Sequence, residues 1–286
     1  MGDPRLPWGD RTAVMGVLNL TPDSFSDGGR HLRPAAAVRQ AGLMLAQGAD
    51  LLDLGAQSTR PGAEEVGPQR ELERLRPALA AIRAAHPTAL LSIDTFHAAV
   101  AEVALADGAH WINDVSGGRR DPALLRLVAA AGCPLVLMHS RGDSRNMDQL
   151  AHYDDVVGEV RAGLKQATET ALAAGVRSTQ VIWDPGLGFA KDTGHNLALL
   201  QGLALLAAEG FPLLVGPSRK RFIGDVLNEP RPRARLWGTA AVCGFAIAQG
   251  ARILRVHDVG PIVQTARMAD ALQAFVTPSI RSSISW

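Results

Sequence analysis

The sequence is poor in everything that would tie it to an oxidising compartment, a membrane or a nucleic acid. It has only two cysteines, Cys133 and Cys243. Both sit in apolar stretches, neither in CxxC spacing nor near clustered histidines. They read as buried free thiols rather than a disulfide, a metal site or a nucleophile, and this suits a reducing cytoplasm, the expected location. The longest apolar runs are only strand-length, so no membrane span is expected. The first eight residues contain no apolar core of a signal peptide. Lys and Arg total 29 against 28 for Asp and Glu, a net charge of +1. Such a balance gives no support for general nucleic-acid or membrane-surface binding, though a local site for an anionic ligand stays open. There is no GxGxxG and no GxxxxGK[ST]; Gly186 to Lys191 is only a partial look-alike. No internal repeat or linker divides the 286 residues, a normal length for one (β/α) barrel. Residues 1–11 are expected as an N-terminal extension, 12–276 as a single domain, and 277–286 as a loosely held Ser-rich tail.

What is present is alternation. Val14–Leu18, Asp50–Gly55, Leu90–Asp94, Trp111–Val115, Pro134–His139, Gln180–Asp184, Pro212–Gly216 and Arg252–His257 read as eight strands. Helical patterns follow each: Pro34–Gln47, Pro68–Ala85, His97–Asp107, Asp121–Ala131, Asp154–Ala174, Thr193–Ala208, Arg233–Gln249 and Pro261–Phe275. Pro68–Ala85 is charged on one face, with Leu72, Leu75, Leu79 and Ile82 on the other. Eight strand–helix units predict a (β/α)8 TIM barrel of class α/β. A doubly wound sheet, the alternative, needs fewer strands for this length and usually carries a phosphate fingerprint after the first.

The polar residues fall at strand ends: Asn19, Asp53, Asp94, Asn113, His139, Asp184, Ser218 just beyond strand seven, and His257. In a barrel these ends converge on one face, where active sites are built. Each has a plainer account. Asp94 could cap the next helix, Asp53 could hold a loop, and His139 could be structural. Eight coincident ends are hard to explain as caps, and buried carboxylates need partners. Gly216 to Gly224 holds three consecutive cations, Arg219, Lys220 and Arg221. A solvated basic turn accounts for Arg219 and Arg221 better than for Lys220. Arg255 and His257 share a strand face and, with the loop after strand seven, occupy the usual phosphate seat of this fold. Such donors suit a diphosphate, with Mg²⁺ neutralising further charge. Asp184, flanked by Asp94 and Asn113, could accept two hydrogen bonds from an amino-pyrimidinone edge, as guanine-like rings and pterins present.

At these residues the chain resembles the dihydropteroate synthase family, over essentially its full length. The matching stretches are Gly16–Gly29, Asp53–Gly62, Ser92–Thr95, Asn113–Gly117, Met138–His139, Asp184–Phe189, Ser218–Lys220 and Arg255–His257. The resemblance implies a reaction joining 6-hydroxymethyl-7,8-dihydropterin diphosphate to 4-aminobenzoate, giving 7,8-dihydropteroate and diphosphate. By position it implies Asp94, Asn113, Asp184 and Lys220 as pterin-binding residues. Asn19, Arg255 and His257 fall to the diphosphate and Mg²⁺, with Asn19 as the metal ligand. Thr59, Arg60, Pro61, Phe25, Phe189 and Ser218 fall to the aminobenzoate end. Met138 and Gly216 complete the substrate-binding set, and Lys220, Asp94, Asp184 and Arg255 are the implied catalytic residues. A homodimer is the family expectation. One departure stands out: Ala56-Gln57 replaces the Gly-Glu that many members carry, which removes a charge at the base of the second loop.

The chemistry agrees with that implication. Diphosphate leaves readily once its charge is held. The dihydropterin can delocalise the resulting benzylic-like cation, and an arylamine is already a competent nucleophile. No Ser–His or Cys–His pair is needed, and none is found. The stretches 23–33 and 57–67 carry Gly and Pro suited to lids. Two rivals stand beside this reading. A pterin-dependent methyltransferase domain would have no use for a diphosphate clamp. A catalytically silent pterin-binding homologue should show gaps among the matched positions.

Overall fold

The structure is a computed structural model that describes residues 11–21, 32–57 and 65–276. Eight parallel strands close into a barrel in chain order. They are β1 (Ala13–Asn19), β2 (Leu51–Gly55), β3 (Leu91–Asp94), β4 (Trp111–Asp114), β5 (Leu135–Met138), β6 (Val181–Asp184), β7 (Leu213–Val215) and β8 (Ala251–Val256). Around them lie α1 (Leu32–Ala46), α2 (Pro68–Ala85), α3 (Ala98–Ala106), α4 (Pro122–Ala131), α5 (Val156–Ala173), α6 (Thr193–Gln201), α7 (Leu203–Ala207), α8 (Arg221–Leu227), α9 (Leu236–Ala248) and α10 (Val259–Val276). The expected TIM barrel is therefore the observed one. Among the described residues no helix is long and apolar enough to cross a membrane.

Side chains that alternate along each strand serve two cores. One set, including Val14, Leu52, Ile93, Ile112, Leu137, Trp183 and Val256, packs outward against the helices. The other fills the barrel floor with Met15, Leu51, Leu90, Trp111, Val136, Ile182, Leu214 and Ile253. Trp183 lies wholly in the outer core, stacked 4.9 Å from Phe211. Its indole N–H is satisfied by Thr168 Oγ1 at 2.8 Å, so this large side chain is buried without an orphaned donor.

Two differences from the sequence reading concern helices. The expected helix 193–208 is two, interrupted at Gly202, where a Cβ would fall 2.6 Å from Val157. The glycine lets α5 approach closely, and the chain kinks there. The helix α8 was not foreseen. It is short and ends at Asn228, whose φ of +52° is a left-handed cap of the kind asparagine tolerates.

Candidate active site

Barrel parity decides what reaches the mouth. Counting by twos from the floor layer leads from Leu51 to Asp53, from Leu90 to Ser92 and Asp94, from Trp111 to Asn113, and from Val136 to Met138. It leads likewise from Ile182 to Asp184, Leu214 to Gly216, Ile253 to Arg255 and His257, and Met15 to Asn19. The sheet register then sets Asn19 beside Gly55, Gly55 beside Asp94, and Asp94 beside Asn113. Because Gly55 has no side chain, Asn19 and Asp94 approach over it. A Cβ there would lie 3.8 Å from Asn19 Oδ1 and 3.6 Å from Asp94 Oδ2.

Arg255 organises this side of the mouth. Its Nε donates to Asp53 Oδ2 at 2.6 Å and its Nη2 to Asp94 Oδ2 at 2.7 Å. Asn113 Nδ2 donates to the same Asp53 oxygen at 3.0 Å. Burial pushes the Asp94 carboxyl above its ordinary range, with Arg255 pulling it back and the Asp53 charge adding to the rise. Burial works against the Arg255 charge too, but the two carboxylates outweigh it and hold the guanidinium more firmly protonated than usual. Asp94 is thus a buried ion-pair partner and not a helix cap. The carboxylates that do cap helices are Asp121, Asp155 and Asp192, on α4, α5 and α6.

The rest of the mouth is built by the end of β6, the loop after it, and the stretches that follow β7 and β8. Asp184 is buried and accepts the Gly186 N–H at 2.7 Å. Burial raises its carboxyl, while Lys220 and that N–H draw it down. Lys220 crosses Gly188, where a Cβ would meet its Cδ at 2.8 Å. Its ammonium donates to the Leu187 carbonyl and sits 4.4 Å from the centre of the Phe189 ring. Burial lowers the Lys220 amine to about 8, with Asp184 opposing the fall. Ser218 Oγ accepts from the His257 backbone N–H at 3.1 Å and lies 3.0 Å from His257 Nδ1. Gly216 lies against Arg255, and Met138 is buried at the end of β5. The flanking cations are accounted for elsewhere: Arg219 pairs with Asp258, and Arg221 with Asp148 at the surface.

Asn19, Asp94, Asn113, Met138, Asp184, Phe189, Gly216, Ser218, Lys220, Arg255 and His257 therefore share one end of the barrel. Phe25, Thr59, Arg60 and Pro61, with most of the two expected lids, lie outside the described residues, as do 1–10 and 277–286. His139 corrects the idea that every polar strand end faces the mouth. It has the parity of Leu135 and Leu137, which face outward, so it turns toward the helices. A Cβ on Gly163 of α5 would touch its ring at 2.8 Å. Asp53, one of the polar strand ends, belongs in the site as the partner of Arg255 and Asn113. Glu71 was missed, since it lies on α2 amid a charged face, yet it is 1% exposed beside Thr95. Asn19 offers one neutral oxygen at the mouth, a hard donor suited to Mg²⁺, an ion that commonly completes its shell with water and substrate phosphates. Among the described residues no group of three or more His, Cys, Asp or Glu could hold a metal.

The arrangement has close relatives. The sequence pattern of the pterin binding enzyme family matches residues 15–257. The chain is 48% identical to dihydropteroate synthase of Synechocystis, over 95% of this chain and 94% of that protein. Among solved structures, Xanthomonas albilineans dihydropteroate synthase with 4-aminobenzoic acid superposes with a TM-score of 0.87 at 43% identity, covering 93% of this chain and 94% of that one. The same enzyme in complex with 7,8-dihydropteroate gives 0.83 at 41%, covering 93% and 95%. Eight strand ends in the matching order, on a barrel of the same shape, make this chain a member of the dihydropteroate synthase family of pterin-binding enzymes.

Proposed function

We propose that this protein is a dihydropteroate synthase, which condenses 6-hydroxymethyl-7,8-dihydropterin diphosphate with 4-aminobenzoate to give 7,8-dihydropteroate and diphosphate. The observation that carries the residue assignment is the meeting of Asp184 and Lys220 with the Asp94–Arg255–Asn113 cluster at one barrel mouth. A pterin offers adjacent ring and amino N–H groups, and a buried carboxylate such as Asp184 accepts both. A site of that kind rejects rings without the matching donors. Asn113 and Asp94 end their strands at the same mouth, and Lys220 adds a donor there.

The reaction breaks the bond between the pterin methylene and a diphosphate oxygen. The electron pair leaves with diphosphate, and the dihydropterin ring shares the positive charge left on carbon. The arylamine nitrogen then bonds to that carbon and loses a proton to water or the departing anion. Protein donors aimed at the leaving group supply most of the catalysis. His257, Ser218 and Arg255 are the candidates. Arg255 already spends Nε and Nη2 on carboxylates, so a phosphate contact falls to its Nη1. Mg²⁺, with Asn19 as its protein oxygen, would add charge neutralisation when bound. The half-buried Phe189 ring suits the aminobenzoate end.

Two further proposals concern the molecule as a whole. Large apolar side chains lie exposed on the last helices: Val226 and Leu227 on α8, Trp237 on α9, Met268 and Leu272 on α10. Exposed large apolar side chains gathered on neighbouring helices suit an interface, and a second copy of this chain is the proposed occupant. Two buried free thiols support a reducing, cytoplasmic setting. The decisive assay supplies both substrates and Mg²⁺. Equal yields of diphosphate and dihydropteroate are expected. Pterin binding without diphosphate release would make this a silent homologue.

A further inference from the structure

The loop after β6, residues 185–191, is wrapped around two ammonium groups. From one side Lys220 donates to the Leu187 carbonyl. From the other, Lys191 donates to the carbonyls of Gly186 at 3.1 Å and Phe189 at 3.0 Å. The third partner of Lys191 is His139 Nδ1, at 3.1 Å. Lys191 is 3% exposed. A lysine ammonium has three donors, and here each has an acceptor. Burying such a charge costs several kcal/mol (on the order of 5) unless its hydrogen bonds are made, so this one acts as a three-point tie.

The loop needs a tie. Gly186, Gly188 and Ala190 have φ of +69°, +74° and +49°. The first two are glycines, for which this region is open. Ala190 is not, and a left-handed alanine costs about 1 kcal/mol. The residue that follows it is Lys191. The loop also gains Asn196, whose Oδ1 accepts the Gly188 N–H at 2.7 Å and whose Nδ2 donates to the Lys191 carbonyl at 3.2 Å. Three successive backbone constraints thus fix where Leu187 aims its carbonyl and Phe189 its ring.

We propose that Lys191 is a positioning residue: by drawing the Gly186 and Phe189 carbonyls onto its ammonium, it holds the loop in the shape that seats Lys220 against Leu187 and Phe189. The inference rests on the reading that Lys220 serves the pterin. It also gives His139 a role, as the acceptor that completes the tie from behind β5. Burial and the cations around His139 push its imidazole down to about 2, so it stays neutral, and in the tautomer protonated at Nε2 its Nδ1 accepts. Lys191 itself is drawn down to about 7 by burial and by Lys220. The charged groups facing it are Asp184, Arg119, Arg141 and Lys220, with the Tyr153 ring 5.9 Å away.

The test is a double-mutant cycle on the intact enzyme, with Lys191→Met, Lys220→Met and the pair. Misplacing a binding group by an ångström costs up to about 100-fold, so Lys191→Met should lower kcat/KM by about 10- to 100-fold. If Lys191 acts through Lys220, the pair should be no worse than Lys220→Met by more than about threefold, because contacting residues couple. Losses that multiply, or a Lys191→Met enzyme within about threefold of the unsubstituted one, overturn the proposal. Should Lys191→Met not melt cooperatively, Lys191→Gln, which keeps N–H donors, enters the cycle under the same criterion. An unsubstituted enzyme that releases no diphosphate would instead refute the reading of the site.

Discussion

Arg255 Nη2 lies 2.7 Å from Asp94 Oδ2, and the two side chains come from strands on different flanks of the barrel. This ion pair, shared with Asp53, sets the depth of the site: three charged groups sit where an ordinary barrel layer would be apolar. Removing one partner of a buried pair leaves an uncompensated charge and costs about 3–5 kcal/mol. Arg255→Met should therefore lose stability on that scale in denaturant unfolding. Pairing it with Asp53→Asn should recover part of the loss, since one stranded carboxylate is then gone. Additive losses would show that Asp53 and Arg255 do not depend on each other.

Asp184 carries a second prediction. Asp184→Asn keeps the size of the side chain but replaces one acceptor oxygen with a donor, which faces the pterin N–H groups and repels them. A hydrogen bond to a charged group contributes about 1.5–3 kcal/mol, and the mismatch adds desolvation. Turnover should fall by at least about 100-fold, with pterin binding lost in calorimetry. Near-normal activity would remove Asp184 from the pterin site.

Much of this was legible in the sequence because a barrel converts strand ends into one locus. The eight apolar runs and their polar termini were enough to bring Asn19, Asp94, Asn113, Asp184 and Arg255 together on paper. Parity refined that picture only where the strand floor was known: His139 ends its strand in sequence but points to the helices. The partners of a charge were not legible. Nothing local to Asp53 says that it meets Arg255, 202 positions away. Lys191 entered the sequence reading only as the end of a partial phosphate-loop look-alike, because its burial depends on three left-handed residues that fold the loop back over it. Glu71 was hidden for a similar reason, being a carboxylate in a charged helix whose first turn happens to dock behind β3.

Glu71 gives a test of that docking. Burial raises its carboxyl to about 7 from 4.5, with Thr95 opposing and the Asp94 charge reinforcing the rise. A folded value above the unfolded one means that the native state binds more protons between them. Stability from this group is then present below about 4.5 and lost as pH rises through about 7. At 1.36 kcal/mol per unit the charge costs on the order of 3 kcal/mol above pH 7. Glu71→Gln should raise the melting temperature at pH 8 and change it little at pH 5. A variant equally destabilised at both would mean that the carboxylate is needed there in its charged form.

Lys220 makes the activity itself pH-dependent. Its amine is lowered to about 8, so the ammonium that serves the site is present below that pH and lost above it. The rate constant kcat/KM should fall on the alkaline side with an apparent midpoint near 8. Stability should move the other way over the same range. Between about 8 and the ordinary lysine value the unfolded chain binds the extra proton, so this group favours the folded state more as pH rises. Lys220→Arg, which does not titrate in this range, should abolish the limb near 8 while retaining a fraction of the activity. A limb nearer 7 that persists in that variant belongs to Lys191; one that persists near 8 belongs to another group.

The apolar face of the last helices sets the final prediction. Trp237 is 78% exposed on α9, and Met268 and Leu272 are exposed at 60% and 58% on α10. Met268 and Leu272 are four apart and share a helix face, and α9 packs against α10. Buried tryptophans are among the strongest interface anchors, at about 2 kcal/mol or more. Trp237→Asp should therefore weaken self-association by at least about 30-fold. In sedimentation at micromolar concentration the unsubstituted chain should run as a dimer and the variant as a monomer. Trp237, Met268 and Leu272 are not among the residues assigned to the barrel mouth, so the variant should keep its turnover per active site. A monomeric unsubstituted chain would assign the exposed tryptophan to a different partner.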